Sequence, residues 1–481
     1  MPQDFSLFAS IHLDRSHGPL YAQLYNALLS LIQSGQLTPG YALPPVRKFA
    51  AFLGINPGTI ARTYRELEVN GWIYSRTGSG SYIADPPELT DQEPEDSPAA
   101  LEIHDPEFLT QDAPADFINM SRIALNPDII SVTQFKRLLL EVLDRDLGHA
   151  FDYQDSQGFF PLRESFASYL AKRGAAVLPQ NLQILSGAQQ GIDIAARALL
   201  ENGDYVFTES PTYPGAIAAF RARGARIIDL PLTAEGPDLH QLEARLRQFH
   251  PKLIYVMPNL QNPTGITMSP ETRTRLMGLA RYYKVYVLED DYIGELSYTN
   301  PLLQPLKTLD LDDRVIYLKS FSKIFMPGLR LAFLSMPARL THRLLQVKQL
   351  TDISTSGLTQ RVFDLYLRQG IWQKHIAALR RSYSTQFDFL CQQAARTLPP
   401  EIQWQRPCGG LSLWLRLPQT EDAAQFTAAA RARGLLVTDG TDFFPRRTDR
   451  HHIRISFATL SLQQIEAGLR ILRETLHRPP Y

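Results

Sequence analysis

The residues of this 481-residue chain with most capacity for chemistry lie between Glu289 and Arg330. The stretch opens with Glu289–Asp290–Asp291–Tyr292, continues to Ser320–Phe321–Ser322–Lys323, and ends at Pro327–Gly328–Leu329–Arg330. It offers an amine that is nucleophilic when unprotonated, carboxylates that can pair with a positive group, and an arginine that can fork onto an anion. Upstream stand Ser186–Gly187–Ala188–Gln189–Gln190, Pro211–Thr212–Tyr213–Pro214–Gly215 and Asn259–Leu260–Gln261–Asn262–Pro263–Thr264–Gly265. Downstream stands His452–Ile453–Arg454–Ile455–Ser456–Phe457. Each motif alone is a weak signal, because a lone Lys or Asp is usually a surface charge and a lone Asn-Pro usually a turn.

Elements that could position these residues are legible around them. Beyond residue 117, short apolar runs at 182–186, 205–209, 226–230, 253–257, 285–289, 315–319 and 331–335 alternate with helix-length segments. Continuous runs of this length suit strands buried on both faces, so the chain reads as α/β with a mainly parallel sheet of seven strands. The sheet is expected within about 175–340 and a smaller C-terminal lobe within about 346–481.

Composition narrows the class. With 49 Lys and Arg against 49 Asp and Glu, 44% hydrophobic residues and two Cys, the chain is ordinary globular protein, and a disulfide scaffold is excluded. No apolar run approaches the ~20 residues that span a bilayer, and the acidic start at Asp4 and Asp14 is unlike a secretory signal. No membrane association, no metal site and a cytoplasmic location are expected. Zero net charge hides an asymmetry. Residues 85–116 hold 11 acids, no Lys or Arg, and 6 Pro, which marks an extended acidic linker. The preceding stretch 41–84 carries five basic side chains against two acidic ones.

The segment 15–84 has its own pattern. Leu20, Leu24, Leu28, Leu31 and Ile32 stripe one helix that Gly35 stops; a second runs over about 46–53; Asn56 caps a third that begins at Pro57. Alternating residues around Arg76–Thr77–Gly78–Ser79–Gly80 make a hairpin. Three helices and a hairpin form a winged helix. The motifs Leu43–Pro44–Pro45–Val46–Arg47–Lys48–Phe49–Ala50, Leu53–Gly54–Ile55–Asn56–Pro57–Gly58–Thr59–Ile60 and Gly78–Ser79–Gly80–Ser81–Tyr82–Ile83 resemble the DNA-binding domain of GntR-family regulators. The resemblance implies that Arg47, Thr59, Arg62 and Arg65 face double-stranded operator DNA, with Gly80 admitting the wing backbone to the minor groove. Pro45 departs from the family, which usually places Ser there.

Taken together and in order, the motifs of residues 117–481 resemble the fold-type I, aspartate aminotransferase-like enzymes that use pyridoxal 5'-phosphate. With the GntR-like head, the whole chain resembles a MocR-type transcriptional regulator. By this resemblance Lys323 forms the Schiff base with the cofactor, and Asp290 pairs with its protonated pyridine nitrogen. Tyr292 and Asn262 donate to the phenolic oxygen, and Tyr213 stacks on the ring. Gly187, Ala188 and Gln189 at a helix N-terminus, with Ser320, Ser322 and Arg330, hold the phosphate. Arg454 matches the fork for a substrate carboxylate. Tyr153 matches the tyrosine that reaches the neighbouring subunit's phosphate, which implies a head-to-tail homodimer. Asp291 and Gln157 have no role in this reading, and Trp372, Trp404 and Trp414 read as core or interface aromatics.

Two functions fit. In the first, a regulator senses a small amino compound, or the cofactor itself, through aldimine chemistry at Lys323. In the second, a working aminotransferase carries a DNA-binding head. A scaffold that binds cofactor without responding is a third, less favoured because Arg454 implies a carboxylate. A basic winged helix has no use in a metabolic enzyme, which favours the regulator. The effector, the target gene, and activation against repression do not follow from spacing.

Overall fold

A computed structural model describes residues 5–8, 11, 13, 20–69, 72–76, 80–84, 114, 116–300, 303–447 and 449–476. The chain divides into a small N-terminal unit and a large one. The acidic stretch 85–113 and the wing tip 77–79 lie outside the described residues.

In the small unit, α1 (Leu20–Gln33), α2 (Val46–Leu53) and α3 (Pro57–Val69) precede a hairpin of β1 (Ile73–Arg76) and β2 (Gly80–Ile83). The α1 stripe is buried: Leu24 and Leu28 pack with Phe49, Ile60, Leu67 and Ile73 in one core. Full burial of such side chains contributes roughly 1.5–3 kcal/mol each, which is what holds so small a unit. The Asn56 side chain accepts from the Gly58 N–H at 2.7 Å, capping α3. Pro45 precedes α2 and makes no side-chain cap. The hairpin pairs Ile73 with Ile83 and Arg76 with Gly80.

The large unit begins with β3 (Ile118–Asn119) and continues through β4 (Leu182–Leu185), β5 (Tyr205–Ser210), β6 (Arg226–Thr233) and β7 (Gly236–Pro237). Then come β8 (Leu253–Val256), β9 (Tyr286–Asp291), β10 (Val315–Ser320) and β11 (Ala332–Ser335). Strands β4 to β11 form one sheet in the order β4-β11-β10-β9-β8-β5-β6-β7. β11 runs against both neighbours, β7 runs against β6, and the remaining pairs are parallel. The sheet therefore has eight strands where seven are expected. The addition, Gly236–Pro237, is too short and too poor in apolar residues to register as a run. Every residue of β8 and β10 is buried, which is why their sequences lack alternation.

Helices α4 (Val132–Asp146), α5 (Phe160–Ala171) and α6 (Ala188–Leu199) begin the helical layers. Ile192 and Ala195 of α6 share a core with Leu288 and Leu318 on one face of the sheet. Phe166 of α5 stacks on Phe333 on the opposite face, ring centroids 4.3 Å apart. The helix Ile371–Thr397 then leads to β12 (Gln403–Trp404), β13 (Ser412–Arg416), β14 (Leu435–Leu436), β15 (Thr438–Asp439) and β16 (His452–Ser456). A second sheet has the order β12-β13-β16-β15, while β14 pairs with β3. Thus residues 118–119, at the start of the large unit, join the last part of the chain. Trp372 is buried against Phe321 and Phe363, as expected of a core aromatic, while half-buried Trp414 stacks on His452.

Candidate cofactor and DNA-binding sites

Five of the motifs sit where an open α/β sheet places ligands, at the C-terminal ends of its parallel strands. Ser186–Gln190 follows β4, Pro211–Gly215 follows β5, and Asn259–Gly265 follows β8. Asp290 is the penultimate residue of β9, and Ser320–Lys323 closes and follows β10.

Asp290 is buried, and its Oδ2 accepts from the Tyr255 hydroxyl at 2.8 Å. Its Oδ1 is buried with no hydrogen-bond partner among the described residues. Burial pushes this carboxyl up to about 7, against the hydrogen bond from Tyr255, which lowers it. A buried acceptor in that state calls for a donor, best a positively charged N–H. Tyr255 has no motif of its own. Only the register that sets β8 beside β9 reveals it.

Asn262 and Arg454 meet. The Arg454 guanidinium, fully buried on β16, donates from Nη1 to Asn262 Oδ1 at 2.9 Å and from Nη2 to the Ser121 carbonyl at 3.4 Å. With Oδ1 engaged, the Asn262 amide nitrogen is the group left to donate elsewhere. Lys323 is half-buried and donates from Nζ to the Ile123 carbonyl at 2.8 Å. Ser121 and Ile123 contribute only backbone oxygens, so their types carry no signal in the sequence. They arrive because Met120 is tied to the Ser456 N–H at 2.6 Å and Ser121 to Thr438 Oγ1 at 3.1 Å.

Gly187 precedes α6, whose first-turn N–H groups lack intrahelical acceptors, a position that suits an anion. Arg330 closes on it: a Cβ at Gly187 would lie 2.3 Å from Arg330 Nη2, and φ of +109° disfavours any other residue. Arg330 is exposed, and its Nη1 lies 3.5 Å from Ser322 Oγ. Ser320 Oγ accepts from the Ser322 N–H at 3.3 Å, and Gln189 Nε2 is turned away to the Gly215 carbonyl at 2.8 Å. Gly187→Ala should therefore displace Arg330 and weaken phosphate binding, with a strain cost of about 1–3 kcal/mol. A fluorescence titration of the variant with pyridoxal phosphate checks this. Wild-type affinity would refute the cradle.

Tyr213 and Tyr292 are half-buried and pack against the sheet core. Tyr153 is not brought to these residues within one chain; it is 81% exposed, on the turn before α5. Gln157 pins that turn by donating to the Leu182 carbonyl at 2.8 Å. Asp291, without a role in the sequence reading, is fully buried and pairs with Arg173 and Lys319, each at 3.1 Å. Burial opposes its charge, yet Lys319 and Arg173 hold its carboxyl well below the usual range. Among the described residues no cluster of three or more His, Cys, Asp or Glu could hold a metal, and no helix is long and apolar enough to cross a membrane.

In the small unit, Thr59, Arg62 and Arg65 recur every three residues down one side of α3, while Ile60, Tyr64 and Leu67 are buried on the other. Arg62 is held over the Tyr21 ring at 3.5 Å and bonds Glu66 at 3.2 Å. An exposed pair of this kind is worth at most about 1 kcal/mol, so Arg62 can be redirected to a phosphate. Arg47 and Arg65 are exposed, and Thr59 is half-buried. The Tyr64 hydroxyl donates to the Pro44 carbonyl at 2.8 Å, which fixes α3 against the start of α2. Gly80 opens β2 with φ of +115° and empty space where a Cβ would stand, so conformation alone favours glycine there.

Sheet order, strand-end residues and helix-end anion site define an aminotransferase-like cofactor domain behind a winged helix. The chain belongs to the aminotransferase class I and II family, which residues 128–472 match, and residues 20–83 match the gntR family of bacterial regulatory proteins. It is 28% identical to the uncharacterized HTH-type transcriptional regulator YisV of Bacillus subtilis, over 96% of this chain and 97% of that one. To the probable rhizopine catabolism regulatory protein MocR of Rhizobium meliloti it is 27% identical, over 95% and 93% respectively. Among solved structures, Pyrococcus horikoshii kynurenine aminotransferase, in complex with PMP, superposes with a TM-score of 0.73 at 32% identity, over 75% of this chain and 91% of that one. The family's cofactor is pyridoxal 5'-phosphate.

Proposed function

We propose that this protein is a transcriptional regulator that binds operator DNA through its winged helix and couples that binding to a small amino compound, or to pyridoxal phosphate itself, at Lys323. The observation that carries the reading is the joining, in one chain, of a gntR-type head to an aminotransferase class I and II domain. When bound, the cofactor supplies an aldehyde for an amine to capture and a protonated ring that draws electrons. The orphaned Oδ1 of Asp290 would accept from the ring N–H, and Asn262 and Tyr292 would donate to the phenolic oxygen. Tyr213 would cover a ring face. The α6 N-terminus, Ser320, Ser322 and Arg330 would hold the phosphate. Arg454 would turn its fork from Asn262 and Ser121 onto a ligand carboxylate, and Lys323 would exchange its place with the ligand's amine.

Residues 15–84 would be the reader of DNA, 85–116 an acidic spacer and 117–481 the sensor, with the protein working in the cytoplasm. Arg65→Ala should weaken operator binding for every sequence tested and lower the slope of log affinity against log salt by about one. An unchanged slope would remove Arg65 from the phosphate contacts.

A head-to-tail homodimer would let Tyr153 reach the partner's phosphate, which suits its 81% exposure in one chain. Sedimentation equilibrium at micromolar concentration should give twice the 54.4 kDa chain mass; monomer alone would leave Tyr153 without that role. A second reading, an aminotransferase with a DNA-binding head, is favoured by the same complete residue set. Catalytic release of an oxo acid would support it.

A further inference from the structure

Adjacent residues of a strand point to opposite faces, and the end of β9 uses this. Asp290 lies on the face of Leu318 and Tyr255, under α6. Asp291, next along, pairs in register with Lys319 and lies on the face covered by α5. There it enters a buried ion network. Arg173 bridges Asp291 at 3.1 Å and Glu295 at 3.0 Å, and Lys319 bridges the same two carboxylates at 3.1 and 2.5 Å. Two acids against two bases leave the network neutral and saturated, a rigid floor.

Above that floor, between α5 and the helix Ile371–Thr397, opens a cavity of about 770 Å³, the size of a small-molecule site. One wall is apolar, with Trp372, Ile376 and Leu303. Lys172, Arg173, Arg368 and Arg380 also line it; together with Lys319 they stand against Glu164, Asp364, Asp291 and Glu295, so lining and floor carry one positive charge in excess. None of the cofactor-site residues contributes to it.

We propose that this cavity is a second ligand site, for a small amphipathic monoanion such as an aryl carboxylate or sulfonate, and that its occupancy is communicated through Arg173 and Asp291 to Asp290. The apolar body of the ligand lies on Trp372 and Ile376. Its anionic end meets the positive excess at the mouth, where Lys172 is exposed. A ligand seated on Arg173 and Glu295 bears on the ion pairs of Asp291, whose peptide neighbour is Asp290. The binding claim stands apart from the cofactor reading; the communication rests on it.

The test uses the full chain loaded with pyridoxal phosphate. Titration with 8-anilinonaphthalene-1-sulfonate should give saturable fluorescence, displaced by 3-phenylpropionate and not by 3-phenylpropylamine. Ser168 is exposed on the lining helix, so Ser168→Trp fills the cavity with little effect on the core and should weaken binding at least tenfold. Lys172→Glu, also exposed, should weaken it about threefold, as expected of a charge reversal screened by solvent. No saturable binding, wild-type affinity in both variants, or displacement by the amine would overturn the site. In a separate arm, saturating 3-phenylpropionate should shift the bound cofactor's visible band in wild type and not in Ser168→Trp. A band that does not move, or moves equally in that variant, would overturn the communication with Asp290.

Discussion

Lys323→Ala is expected to leave operator binding by the head largely intact while abolishing the response to amino compounds. The two properties separate because they reside in different units: the arginines of α2 and α3 belong to the winged helix, and Lys323 follows β10 of the large sheet. Removing the amine would take away the group proposed to hold the cofactor and to give way to a ligand amine. It also frees the carbonyl of Ile123, which lies on a segment anchored by further backbone bonds. Folding should therefore survive, and the lost response can be assigned to chemistry. Operator binding with and without ligand, on wild type and variant, makes the comparison. A response of wild-type size in Lys323→Ala would refute sensing at this lysine.

Asp290→Asn should have opposite effects on the free and the loaded protein. In the cofactor-free fold, burial raises the Asp290 carboxyl from 3.8 to about 7. The folded chain thus binds a proton across that interval that the unfolded chain releases. This contribution to stability is fully present below the unfolded value and is lost as pH rises through about 7. At pH 8 the ionised, half-satisfied carboxylate costs on the order of 4 kcal/mol relative to the unfolded chain. An amide has no charge to bury, so cofactor-free Asp290→Asn should melt above cofactor-free wild type at pH 8 and lose that advantage near pH 4. On the proposed function, loading should reverse the order, because Oδ1 would accept from the cofactor's protonated ring, which would stabilise the carboxylate and offer the amide little. Melting curves at both pH values, with and without pyridoxal phosphate, check the sign. A variant less stable than wild type in every condition would mean that Oδ1 is not waiting for a cation.

Much of the fold was legible because local rules and tertiary packing agree. Asn56 and Pro57 start α3 where cap chemistry puts a start, and Gly54 ends α2 in the left-handed conformation. The seven apolar runs are strands because a sheet covered on both faces needs continuous burial. The two-residue β7 escaped, since Gly236 and Pro237 have no strand propensity and pair only because the chain turns back there.

The site was legible where it depends on side-chain type in ordered motifs, and opaque where it depends on long-range pairing. The conjunction of Asn262 with Arg454, 192 residues apart, could be inferred only through a family resemblance. Tyr255, Ser121 and Ile123 carried no signal, because one is a common core aromatic and the others act through backbone oxygens. Asp291 had no role in the sequence reading. Strand alternation sends it to the other face, where Arg173, Lys319 and Glu295 meet it from three separate parts of the chain.

The most direct test of the account is a visible-absorbance titration of the purified, cofactor-loaded chain with a panel of amino compounds, with operator binding followed in parallel. At least one compound should shift the cofactor band to a new, persistent position and change operator affinity over the same concentration range. If the band instead bleaches with release of an oxo acid, recovers on adding an oxo-acid acceptor, and leaves operator affinity unchanged throughout, the protein is an aminotransferase and the regulator reading is contradicted.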